Sequence, residues 1–229
     1  MKPQILLFIL LLALTLGACQ KDARLHVKKI TVTETDPHWN ITVSHSAFSF
    51  TEPEVQKACT AFNDELTGLV DGIRAIFIEH AQEQIDALAT ADLHPSSPYE
   101  LPISDSVFHA DDRYISLLVQ AYQILGGANG NTEYYALNYD VRQKTFLTPD
   151  QLIDITQAPI LNDQLRKHLN DPDSCYTFET PALDNCAAVN FTPDTFVFTY
   201  AKYTLGPGAC GPATIIVPRA HLAKILKIQ

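Results

Sequence analysis

The sequence predicts an α+β fold, a mostly antiparallel sheet packed by one long N-terminal helix and by shorter helices nearer the C-terminus. Strand-like segments come in blocks, at 25–50, 99–140 and 189–217, without the regular strand–helix alternation of a parallel sheet. Between the first two blocks lies a stretch whose apolar residues recur at three- and four-residue spacing, as a helix lying on a sheet requires. Hydrophobic residues make up 46% of the 229-residue chain, a composition that argues against disorder and supplies a core.

The amino terminus comes first in chain order. Lys2 precedes an apolar run, Ile5–Leu14, that is too short for a good membrane-spanning helix. Leu16-Gly17-Ala18-Cys19 follows, and this tetrad resembles the lipobox of bacterial lipoproteins. The resemblance implies a signal peptide over 1–18, lipidation of Cys19 with palmitate-type acyl chains, and a tether over 19–24. Acyl chains contribute about 0.8 kcal/mol per buried CH2, so several of them anchor durably. Gln20 stands where an aspartate often marks inner-membrane retention, so the pattern points to the outer membrane, facing the periplasm of a Gram-negative cell. The alternative is a secretory peptide cleaved after Ala18 that leaves Cys19 as a spare thiol.

Leu25–Thr35 and Trp39–Phe50 read as two strands around the turn Asp36-Pro37-His38, with Ile41, Val43, His45, Ala47 and Ser49 on one face. Thr51-Glu52-Pro53-Glu54 offers Thr51 as N-cap to a helix reaching about Ala89, roughly 50 Å long. Its stripe runs from Val55 through Cys59, Phe62, Leu66 and Ile73 to Phe77, and Gly68 and Gly72 are points where it could bend. His94-Pro95-Ser96-Ser97-Pro98 separates an N-terminal strand–strand–helix module, 25–93, from a C-terminal module, 99–229, the two packed as one unit.

In the second module Tyr99–Ala110 is a strand that leads into a hairpin, Arg113–Asp140. Ile115, Leu117, Val119 and Ala121 form its core face, with Ser116, Gln120 and Tyr122 on the other face. Tyr135, Leu137 and Tyr139 alternate with Ala136 and Asn138 on the returning arm. The tip, Gly126 to Asn131, is rich in residues that tolerate a tight reversal. Thr148 caps a short helix, 159–170 is a second helix, Thr195–Leu205 and Ala213–Val217 are strands, and Arg219–Lys227 is a closing helix with Lys224 and Lys227 placed for its dipole.

Besides Cys19 the chain has Cys59, Cys175, Cys186 and Cys210, an even number that in an exported protein suggests two disulfides with three connectivities. The expected pairs are Cys175–Cys186, closing a local loop, and Cys59–Cys210, tying the long helix to the late sheet. No CxxC pair supports zinc.

Catalytic signatures are missing: there is no HExxH, Gly-x-Ser-x-Gly, P-loop or dinucleotide-binding glycine pattern. Asp105, His109, Asp111 and Asp112 could form a metal cluster but read more simply as a solvated loop before a strand. Asp171 and Asp173 begin like a calcium loop and lack its later ligands. No catalytic residue, metal or cofactor is expected. Removing 1–18 removes Lys2 alone, leaving 15 Lys and Arg against 26 Asp and Glu, a formal charge of −11. That excess argues against nucleic acid and is compatible with a cationic partner.

Gly126-Gly127-Ala128 between two strands, Leu137-Asn138-Tyr139-Asp140 and Phe146-Leu147-Thr148-Pro149-Asp150-Gln151-Leu152 resemble the extracytoplasmic RsiV/PdaC-type domain of unknown function. Phe196-Val197-Phe198, Tyr203 and Gly211-Pro212 echo its closing pattern, and 25–93 resembles the smaller module that usually precedes it. In that family the domain occurs in an anti-sigma factor that binds lysozyme and beside a peptidoglycan deacetylase domain. The resemblance implies a lipid-anchored envelope binding protein, without chemistry of its own, that recognises a cationic protein such as lysozyme, or peptidoglycan. Its contact loop would include Gly126, Gly127, Asn129 and Asn131. Many relatives carry histidine where this chain has Asn129, so no role of that ring transfers. The alternatives are a peptidoglycan-acting hydrolase, or its accessory subunit, with an unrecognised metal or carboxylate site, and a structural envelope lipoprotein.

Overall fold

A computed structural model describes residues 25–126 and 129–228. Cys19 and the signal and tether segments lie outside the described residues, as does Gly127 of the hairpin tip. The fold is α+β with mostly antiparallel sheets, as expected. One six-stranded sheet runs in the order β1 (Leu25–Thr35), β2 (Trp39–Phe50), β3 (Tyr99–Ala110), β4 (Tyr114–Gln123), β5 (Asn131–Asp140) and β6 (Thr145–Phe146). A second sheet contains β7 (Ala188–Phe191), β8 (Thr195–Tyr200) and β9 (Ala213–Pro218). Among the described residues the single parallel pair is β2–β3, Trp39–Ser44 beside Tyr99–Ser104. A helical crossover connects these two strands, and such a crossover is what lets the second strand enter in the direction of the first.

That crossover is α1 (Pro53–Thr90), 38 residues and so about 57 Å, continuous through Gly68 and Gly72, both of which face solvent. Its N-cap is Glu52, not Thr51. The Glu52 carboxylate accepts from the amides of Glu54 (3.1 Å) and Val55 (2.8 Å), while Thr51 sits one residue too early to reach them. The predicted stripe is buried against the first sheet. Phe62 is its centre, edge-on to Phe48 and Tyr139 at 5.1 and 5.6 Å and stacked on Phe146 at 5.7 Å. Each such ring contributes about 1.5–3 kcal/mol by burial alone.

Strand β2 departs from the expected alternation. Ile41 and Val43 are buried, but farther along it is Ser46, Phe48 and Phe50 that turn inward, while Ser49 is exposed. The cause is local. Pairing with β3 extends only as far as Ser44, and beyond it side chains replace the missing strand. Asp105 accepts from the Ser46 amide (2.5 Å) and hydroxyl (3.0 Å) and is paired with Lys29 of β1. Asn63 of α1 accepts from the Phe48 amide (2.9 Å) and donates to its carbonyl (2.8 Å), and Gln56 accepts from the Phe50 amide (2.7 Å). The helix thus supplies hydrogen bonds that a neighbouring strand would otherwise make.

The β4–β5 hairpin is present, with Ile115, Leu117, Val119 and Ala121 in the first core. Its other face is not simply a solvent face: Tyr114, Ser116 and Leu118 are also buried, and β7 lies against this end. The joint is polar. Ser116 Oγ donates to Asn138 (2.7 Å) and accepts from the Asn190 side chain and the Phe191 amide, both at 3.1 Å. Asn190 also reaches the Leu117 carbonyl (3.0 Å), and Asn138 donates to the Val189 carbonyl (2.8 Å). Every bond of this set links the two sheets or orders a residue that does.

The second core packs Phe196, Phe198 and Tyr200 of β8 with Leu161 and Leu165 of α3 (Ala158–His168) and with Leu222. The Thr148-capped helix, α2, is a single turn, Pro149–Leu152. The closing helix, α4, stops at Leu222, well short of Lys227. Beyond it the backbone pairs with the 152–154 segment: Lys227 donates to the Leu152 carbonyl (2.9 Å) and Asp154 to the Ile225 carbonyl (2.7 Å). That pairing, which buries Ile225 and Ile228, takes the backbone groups a longer helix would have used.

Both expected disulfide pairs are replaced by another. Cys175 bonds to Cys210, 35 residues away, while Cys59 and Cys186 are free thiols. Cys59 is fully buried in the first core, whereas Cys210 belongs to the second lobe, so the pair Cys59–Cys210 cannot close. Cys186 directs its thiol to the carbonyls of Ala188 (3.0 Å) and Thr199 (3.3 Å), within the second sheet. Burial pushes that thiol up to about 12 against the opposing effect of these carbonyl contacts. The bonded loop is held closely: a Cβ on Gly206 would stand 2.4 Å from the Cys175 carbonyl oxygen.

Candidate functional site

Helix α1 carries two opposed faces. At 100° per residue, Glu54, Asp64, Glu65, Asp71, Glu79, Glu83 and Asp86 fall within an arc of about 120°, and the buried stripe centred on Phe62 and Phe77 lies on the opposite side. All seven carboxylates are exposed. Glu54 is already engaged: Lys57 and Lys144 bond to it at 2.6 and 2.9 Å and hold its carboxyl down to about 2. Asp71 is paired with Arg74 at 3.1 Å. Among the described residues, Asp64, Glu65, Glu79, Glu83 and Asp86 have no cationic side chain within 4 Å. Five carboxylates without a cationic partner on one side of a long rigid rod form a negative stripe facing solvent.

At the N-terminal end of this helix lies a groove of about 520 Å³. Leu25, Phe50, Val55 and Ala110 line it together with Glu52, Asp111 and Asp112. Its acidic groups come from two places, the cap of α1 and the β3–β4 turn. Asp112 is bonded to Arg142 (2.9 Å), an exposed pair, whereas Asp111 organises the turn itself. One oxygen of Asp111 accepts from the Arg113 and Tyr114 amides, both at 2.7 Å, and the other meets His109 Nε2 at 2.9 Å. Burial opposes its ionisation, but those two amides and the His109 ring outweigh burial and keep the carboxyl below its ordinary value.

Asp111 also borders a second, smaller cleft of about 280 Å³ between the two lobes, shared with His109, Arg113, Tyr114, Phe191 and Arg219. The four acidic and histidine positions singled out in the sequence therefore separate. His109 and Asp111 are together. Asp112 points to Arg142, and Asp105 is buried under Lys29 and Ser46 as a structural carboxylate. Asp171 likewise serves structure, accepting from the amides of Cys175 (2.7 Å) and Tyr176 (3.1 Å) beside the disulfide. Among the described residues no group of three or more His, Cys, Asp or Glu side chains is placed to hold a metal ion.

The hairpin tip is at the other end of β4 and β5 from this turn. Gly126 borders a pocket with Tyr99, Leu88 and His94, and Gly130 packs on Tyr122 so closely that a Cβ would lie 2.4 Å from its ring. Asn131 opens β5, and Asn129 lies in the loop before it. Sequence reasoning did not single out Arg113, Arg219 or the carboxylate arc of α1. The arc was there to be found by plotting the acidic residues at helical period as well as the apolar ones. The convergence of Arg113 and Arg219, 106 positions apart, has no sequence signal.

Comparison with known proteins finds likeness to a domain of unknown function over part of the chain. Residues 144–220 match the family described as "Protein of unknown function (DUF3298)". The fold is similar to that of a DUF3298-family crystal structure from Bacteroides fragilis (TM-score 0.70, 16% identity, 89% of this chain and 94% of that one). A DUF3298-family protein of Pseudomonas aeruginosa superposes at a TM-score of 0.51, with 15% identity and the same coverage. In sequence the chain is similar to the immunogenic proteins MPT64 of Mycobacterium tuberculosis and MPB64 of Mycobacterium bovis. Each is 24% identical over 159 residues, 66% of this chain and 70% of theirs. No helix among the described residues is long and apolar enough to cross a membrane.

Proposed function

We propose that this chain is a binding protein of the cell envelope, held to the outer membrane by a lipid on Cys19, whose α1 face recognises a cationic protein of the lysozyme kind. One observation carries the reading: the arc of carboxylates on α1, five of them without a cationic neighbour, set opposite the core stripe on a rigid helix. Such a stripe raises the encounter rate with a positive surface and does so less as salt screens it. The RsiV/PdaC resemblance, the lipobox and the excess of carboxylates in the sequence point the same way. The groove beside the cap of α1 then suits the methylenes of a lysine or arginine side chain, which would lie on Leu25 and Val55.

Titrating the detergent-solubilised chain with hen lysozyme by calorimetry tests this. Binding at low ionic strength that weakens with added salt is expected, and Glu79→Lys with Glu83→Lys should weaken it about tenfold. No binding at low salt, or binding indifferent to both changes, sinks the proposal.

A second reading, a peptidoglycan-acting hydrolase or accessory subunit, is favoured by one feature, the His109–Asp111 hydrogen bond at the mouth of a cleft. Zymography on peptidoglycan separates the two readings. Clearing by the parent chain that is lost in His109→Ala would support the hydrolase.

A further inference from the structure

We infer that the cleft between the two lobes binds a small oxyanion, a carboxylate or phosphate group, between the guanidinium groups of Arg113 and Arg219. The cleft is assembled from both lobes: the end of β3 brings His109, the β3–β4 turn brings Arg113, the turn after β7 brings Thr192, and the start of α4 brings Arg219. Among the described residues neither guanidinium has a carboxylate within 4 Å, in a chain with 26 acidic against 16 basic residues. The nearby carboxylate, Asp111, does not serve them, because its oxygens are taken by two backbone amides and His109. Asp194, the chain neighbour of this turn, gives Arg219 a contact only through its backbone, accepting the Arg219 amide at 2.8 Å.

Each arginine is oriented, which distinguishes the pair from loose surface cations. Arg113 lies 4.9 Å over the Tyr114 ring. Arg219 lies 5.8 Å from the Phe196 ring and donates from Nη2 to the Ile228 carbonyl at 2.7 Å, leaving its other N–H groups unassigned. Planar, oriented guanidinium groups match carboxylate and phosphate oxygens better than a flexible ammonium does. Behind them the buried rings of Phe191 and Tyr114, 5.7 Å apart and edge to face, make that side of the cleft apolar and of low dielectric, where charged contacts are stronger. At about 280 Å³ the space suits a free anion or one acidic monosaccharide and little more.

The oxyanion could thus come free or on a sugar, and the test has an arm for each. The full chain in detergent is titrated by calorimetry with inorganic phosphate, glucuronate and, as the neutral control, glucose. Millimolar or tighter binding of phosphate alone assigns a free anion, and tighter binding of glucuronate assigns an acidic sugar, while glucose does not bind. Arg113→Gln and Arg219→Gln should each weaken the anion about tenfold, the loss of one charge-assisted contact. Should either variant fold poorly, amide shift changes in the parent chain must still centre on Thr192 and His109. No binding by either anion, wild-type affinity in both folded variants, or shifts centred elsewhere overturns the inference.

Discussion

Ser116 and Asn190 meet at 3.1 Å across the junction of the two sheets, and through them the hairpin of the first sheet is bonded to the first strand of the second. Both residues are fully buried, so water does not substitute when one partner is removed. Ser116→Ala leaves the Phe191 amide, the Asn138 carbonyl oxygen and one Asn190 proton without their partner. The expected cost is about 1–3 kcal/mol, or a melting temperature lower by several degrees. Urea denaturation checks it; a variant as stable as the parent would mean the lobes hold by apolar contact alone.

Asn63 offers a similar test on the other side of the sheet. Its side chain satisfies both backbone groups of Phe48, where β2 has left β3. Asn63→Leu keeps the branching of the side chain and removes both bonds, so it should cost about 1–3 kcal/mol despite adding apolar surface. Thr67→Ala, on the exposed side of the same helix, should stay within about 0.5 kcal/mol.

The Cys175–Cys210 bond predicts a specific peptide map. Non-reducing digestion should recover those two cysteines linked, with Cys59 and Cys186 alkylated only after unfolding, since burial raises both thiols. Closing a loop of this length stabilises by about 3–4 kcal/mol in the chain-entropy picture, and Cys175→Ala should lose most of that. Gly206→Ala should also destabilise, by about 1–3 kcal/mol, because its methyl group would press on the Cys175 backbone.

Asp111 sets a pH signature. Its folded value lies below the ordinary 3.8, so the unfolded chain takes up its proton first as pH falls. The stability it contributes is therefore complete above that ordinary value and is lost as pH drops through the folded one. Comparing the parent with Asp111→Asn, the stability difference should shrink as pH falls below about 4. A difference that stays constant through that acid range would contradict the hydrogen-bonding arrangement of the turn.

Patterns within one element survived into the structure. The stripe of α1, the alternation of Ile115, Leu117, Val119 and Ala121, and the face shared by Phe196, Phe198 and Tyr200 all lie where periodicity predicts. The expected alternation of β2 failed at the point where its neighbour changes from a strand to a helix. Residues 223–227 failed as helix because a distant backbone segment, at 152–154, was there to pair with them. The cysteine pairs failed for the same kind of reason: spacing along the chain does not report distance between lobes.

The sequence alone determined the α+β class, the apolar faces of α1, β4 and β8, and the acidic balance of the chain. These depend on residue type and local period, which act within a few residues of one another. The tertiary structure alone settled that Cys175 bonds to Cys210, that the outer face of β4 is covered by β7, and that Asp111, Arg113 and Arg219 border one cleft. Each of these joins residues far apart in the chain, and such neighbours are chosen by how two cores pack and by which buried polar groups find a partner.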